Sequence, residues 1–93
     1  MGIYFNLCKA VDNVIENNGK VIINIESCAF NANLCVDLSD YTIRDNCIKL
    51  YGKENSFELE IDLDHCHIKY DEIEDTFYFD CGNGNNIYLQ PVL

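Results

Sequence analysis

The residues best suited to chemistry lie close together: His65, Cys66 and His67, preceded by Asp62 and Asp64. Imidazoles, a thiol and carboxylates are the donor set of a zinc site, or of a hydrolytic centre with histidine as base. In an extended chain alternate side chains share a face, so His65 and His67 point one way and Cys66 the other. A zinc ion then needs further ligands from Asp62, Asp64 or a neighbouring strand. The expectation is two solvent-facing histidines with Cys66 in the core, and no resident metal or cofactor. His65 and His67 remain the candidate ligands should a metal be held.

The carboxylates form a larger group. Glu58, Glu60 and Asp62 alternate along one predicted strand, and Asp64, Asp71, Glu72, Glu74 and Asp75 fall in turns. A hard cation needs several oxygens around one point, which a linear row does not give, and the EF-hand spacing is missing. Glycosidic chemistry needs two carboxyls across a cleft, for which a small meander leaves little room. The run "GNGNN" at 82–86 has no following Lys-Ser or Lys-Thr and precedes a strand, so it reads as a turn and not a phosphate loop. No catalytic residue is assigned, and the chain is not expected to be an enzyme.

Composition bounds the rest. The 93 residues suit one domain, 1–93, and 48% hydrophobic content suits a folded one. The net charge is −10, and it is localised. Residues 1–53 carry six acids and five bases, whereas residues 54–80 carry ten acids and one base, Lys69. So acidic a segment repels nucleic acid and anionic membranes and attracts basic protein surfaces. The start "MGIYFNLCKA" has no basic stretch ahead of an apolar run, so no signal peptide is expected. The six cysteines contain no C-x-x-C pair and are expected to be reduced in a cytoplasmic protein.

The elements that must carry these groups follow from periodicity. Ile3, Leu7, Ala10, Val11 and Val14 recur at helical spacing, and "NNG" at 17–19 ends the helix, with Gly19 suited to the left-handed position. From Lys20 the period is two, with Val21, Ile23 and Ile25 on one face. A loop is expected at Asn31–Asn33, then a strand with Leu34, Val36 and Leu38 inward. Asp45-Asn46 reads as a two-residue turn pairing Ile43 with Ile48 and Tyr41 with Leu50. A four-residue turn, 52–55, pairs Leu50 with Phe57, Ile48 with Leu59, and Lys49 with Glu58. Strands with Cys66, Ile68 and Tyr70 inward, then Phe77, Phe79 and Cys81 inward, follow on either side of "DEIED". Pro91 suits the last strand, "IYLQPV", to an edge or to a strand end. The predicted fold is α+β: an N-terminal helix packed on a six- or seven-stranded, mainly antiparallel β-meander.

On this reading the chain is a small non-catalytic binding module. Its partner-binding residues are Glu58, Glu60, Asp62, Asp64, Asp71, Glu72, Glu74 and Asp75, which would block a basic, nucleic-acid-binding surface of a partner protein. Phage anti-defence proteins such as anti-CRISPRs, and toxin-immunity proteins, work this way; the analogy is of charge and size. One alternative is a metal-binding or hydrolytic protein using His65 and His67. Another is a structural subunit that forms homo-oligomers through an exposed last strand.

Overall fold

The computed structural model describes residues 2–92. Helix α1 (Ile3–Glu16) precedes seven strands: β1 (Lys20–Glu26), β2 (Asn31–Arg44), β3 (Cys47–Gly52), β4 (Glu58–Asp62), β5 (His67–Asp71), β6 (Thr76–Asp80) and β7 (Asn86–Val92). They form one sheet in the order β4-β3-β2-β1-β7-β6-β5, and every ladder is antiparallel. The helix buries Leu7, Val11 and Val14, one stripe at i, i+4 and i+7, against that sheet. It ends with Asn18, not Gly19, in the left-handed region at φ 52°. Asn tolerates that conformation, and the Gly19 N–H closes the end on Val14 O at 2.8 Å.

Strand β2 departs most from expectation. Asn31, Ala32 and Asn33 are strand, paired with Glu26, Ile25 and Asn24. The loop falls earlier, where Ser27 Oγ accepts from the backbone N–H groups of Ala29 and Phe30. Ladder pairing here overrides the poor strand propensity of Asn. Val36 and Leu38 are buried as expected, while Leu34, on the same face, stays 37% exposed. The ladder is irregular between Leu38 and Asp40, so Leu38 and Tyr41, three apart, both reach the core. Residues 31–37 pair with β1 and residues 38–44 run along β3.

The Asp45-Asn46 turn forms with φ 53° and 60°, and Ile43 faces Ile48 and Tyr41 faces Leu50. The β3–β4 register differs from expectation by two residues: Leu50 faces Leu59 and Ile48 faces Ile61. Ser56 joins the loop, and Gly52 N–H bonds Phe57 O at 2.8 Å. A two-residue slip keeps each side chain on its face, so the expected inner and outer sets survive. Lys49 lies opposite Glu60 and reaches diagonally to Glu58, Nζ to Oε1 2.7 Å.

Strands β4 and β5 are consecutive yet unpaired, at opposite ends of the strand order. Six antiparallel steps separate them, so they run in the same direction and cannot form a hairpin. In a flat sheet they would lie six spacings apart, roughly 29 Å. The five steps from Asp62 to His67 reach at most about 18 Å. The sheet must therefore curl until its two edges approach at the 3-10 turn Leu63–His65, and the extents of 34 × 31 × 30 Å agree with that. Leu63 N–H fixes this corner to Asn46 O at 2.8 Å.

The last strand is interior. β7 lies between β1 and β6 and is paired on both sides as far as Leu89, so it is not the exposed strand that the alternative of a homo-oligomer requires. Pro91 is tolerated because β6 accompanies β7 only as far as Leu89, and beyond that only β1 is paired.

Gly52 sits where β3 turns tightly beneath the β2 irregularity. An added Cβ would meet Phe57 Cβ at 2.7 Å and Ser56 Oγ at 2.9 Å. Gly52→Ala is expected to cost about 1–3 kcal/mol through overpacking, measured by urea denaturation. An unchanged midpoint would show that the Phe57 loop gives way freely.

Candidate functional site

The corner between β4 and β5 carries the chemistry-bearing residues. His65 lies in the 3-10 turn and His67 opens β5, so the two do not share a strand face. The corner is built by Asp62, whose Oδ1 caps the Asp64 N–H at 3.0 Å and whose Oδ2 sits 2.7 Å from His65 Nδ1. The His65 side chain is 80% exposed. Asp64 accepts the Asn46 amide at 3.1 Å, tying the corner to the β2–β3 turn. Among the described residues no group of three or more His, Cys, Asp or Glu side chains converges as metal ligands would. Asp62 orients His65 without enclosing a reaction site.

Cys66 points inward, and its Sγ lies 3.1 Å from Cys81 Sγ on the neighbouring strand end. Sequence reasoning placed both side chains inside but missed their pairing. It follows from the β5–β6 register, in which His67 faces Asp80. Burial, the Cys81 thiol and nearby carboxylates push the Cys66 thiol up to about 12. All six cysteines are free, and Cys28 and Cys35 are exposed. Because the thiolate is the nucleophile, iodoacetamide should label Cys28 and Cys35 first and Cys66 last. Peptide mass mapping checks this order, and early labelling of Cys66 would contradict the packing described.

The acidic segment follows the sheet's two open edges. β4 carries Glu58, Glu60 and Asp62, all exposed, on one edge; β5 and its turn carry Asp71, Glu72, Glu74 and Asp75 on the other. Because the edges meet at the corner, the eight carboxylates make one seam along the chain path, with Asp64 in the middle. The halves differ in compensation. On β4, Glu58 is paired with Lys49 and Asp62 with His65, and Glu60 lies opposite Lys49. Among the described residues no ion pair involves Asp64, Asp71, Glu72, Glu74 or Asp75.

The β5–β6 turn is held firmly. Asp71 Oδ1 accepts from the N–H groups of Ile73 and Glu74 at 2.9 and 3.3 Å. Tyr70 donates its phenol to Asp75 Oδ1 at 2.6 Å, and Gln90 Nε2 donates to Glu74 O at 3.0 Å. The Asp75 hydrogen bond, then burial and the neighbouring carboxylates, raise the Tyr70 phenol. Tyr88 is raised chiefly by Glu26, and Tyr41 is pushed to about 12 by burial and by Asp12.

These shifts have one sign. The folded chain keeps phenol and thiol protons that the unfolded chain releases, so their contribution is whole below the unfolded pKa values, about 8.5 for Cys and 10 for Tyr. It is lost as pH rises toward about 12, the value for Tyr41 and Cys66. Denaturant midpoints should fall between about pH 9 and 11, and Tyr41→Phe should shift the fall upward. A flat profile would contradict it.

Compared with known proteins, the chain matches no family model, no curated protein and no solved structure. No helix among the described residues is long and apolar enough to cross a membrane.

Proposed function

We propose that the chain is a non-catalytic acidic binding module whose carboxylate seam occupies a basic surface of a partner protein. The observation that carries this reading is the uncompensated run Asp71, Glu72, Glu74 and Asp75 on a turn clamped from β5 and β7. Charges held in place without ion-pair partners cost self-repulsion in the free protein and gain when a complementary surface arrives. A preorganised turn also loses little entropy on binding. A surface that binds nucleic acid is the natural basic partner, and covering it would make the chain an inhibitor of that binding, in the manner of anti-CRISPR or toxin-immunity proteins. The edge position gives a structural role as well, since charge on open edges deters strand pairing between copies. Edge protection alone leaves the clamped turn unexplained.

The test starts from the protein captured from the native host. It should be basic, associate faster at low ionic strength, and lose nucleic acid when this chain is added. Rate constants that stay level from low salt to about 0.5 M, where screening is nearly complete, would overturn the reading.

A further inference from the structure

The β5–β6 turn presents an apolar side chain that the fold does not use. Ile73 is 95% exposed at its tip. Beside it, on the outer face of the sheet, Tyr78 and Tyr88 face each other across β6 and β7, ring centroids 4.9 Å apart. These three side chains line an open cleft of about 620 Å³ that also reaches Lys69, Glu72 and Glu74. The cleft is apolar within, and its rim is acidic on balance, with Asp71, Glu72 and Glu74 against Lys69. Water leaves such a surface readily, but only for a partner that also meets the carboxylates.

We infer that this cleft docks an extended basic segment of a partner protein, with one apolar side chain seated between Ile73 and the Tyr78–Tyr88 pair. The inference rests on the proposed function and locates where that binding has its anchor. Charge selects the occupant. An anionic peptide or membrane is repelled by the rim. A neutral apolar segment would bury the rim carboxylates without partners. A segment in which arginines flank an apolar residue satisfies both: the apolar side chain enters the cleft, and the long flexible arginine stems curl back to the rim. Its arginines can pair with Glu72 and Glu74 and lie over the tyrosine faces. The held turn supplies a fixed Ile73 knob, so binding orders little that was free before.

The experiment titrates the intact chain with three short labelled peptides: alternating arginine and leucine, alternating arginine and serine, and alternating glutamate and leucine. The arginine–leucine peptide should bind about tenfold tighter than arginine–serine, as expected when one leucine is partly buried. Ile73→Ser should remove that advantage and leave arginine–serine binding unchanged; at 95% exposure the substitution does not endanger the fold. Equal affinity for the two basic peptides, or an advantage that survives Ile73→Ser, overturns the cleft while charge-driven binding stands. Failure of both basic peptides to exceed the glutamate–leucine control overturns the cleft and the acidic-module reading together.

Discussion

Phe79→Ala should destabilise the protein by about 3–5 kcal/mol. Phe79 is fully buried on β6 and faces Ile68 on one side and Ile87 on the other, packed with the helix stripe into a single core. A chain of this size has a total stability of about 5–15 kcal/mol, so the loss removes a large share of it. At about 4–8 °C per kcal/mol, the melting temperature should fall by roughly 12 °C or more. Ile73→Ala is the contrast. It also removes a large aliphatic side chain, but one in water, and should stay within about 0.5 kcal/mol. Thermal melts followed by circular dichroism compare the two. Equal shifts would mean that the sheet does not close on the core through β6.

The second large effect concerns binding. Reversing Glu72 and Glu74 to lysine should weaken the partner complex by about a hundredfold or more at low salt, because two attractions become repulsions. These side chains are exposed at the turn, and the bonds that shape it come from Asp71, Tyr70, Thr76 and Gln90. The fold should therefore persist. Reversing Glu58 is a less clean experiment, since it sets a lysine against Lys49. The outer row of β4, the natural choice from alternation alone, is thus the better compensated half of the seam.

Much of this arrangement is legible from residue order. The helix stripe, the Asp45-Asn46 turn and the alternation around Ile48 and Leu50 are local signals, and a six- or seven-stranded, mainly antiparallel sheet follows from such signals. The β3–β4 register slips by two because composition does not assign Ser56 to the loop, yet parity protects every face. The position of β7 is not legible. Its pairing with β1 joins the first strand to the last, and Pro91 suits an edge or a strand end alike until one knows that β6 stops at Leu89. The site divides the same way. The acidic run and its outward direction can be read from sequence. The meeting of the β4 and β5 edges, the Cys66–Cys81 contact and the Tyr78–Tyr88 floor depend on strand order and register, which no short window contains.

One titration tests the acidic seam most directly. The captured basic partner is titrated into three proteins: the wild type, Glu72→Lys with Glu74→Lys, and His65→Gln with His67→Gln, with circular dichroism as the folding control. The expected result is a loss of about a hundredfold or more for the charge-reversed protein and an affinity near wild type for the histidine variant. Undiminished binding by the charge-reversed protein, together with loss of binding in the histidine variant, would contradict the seam and return the function to His65 and His67.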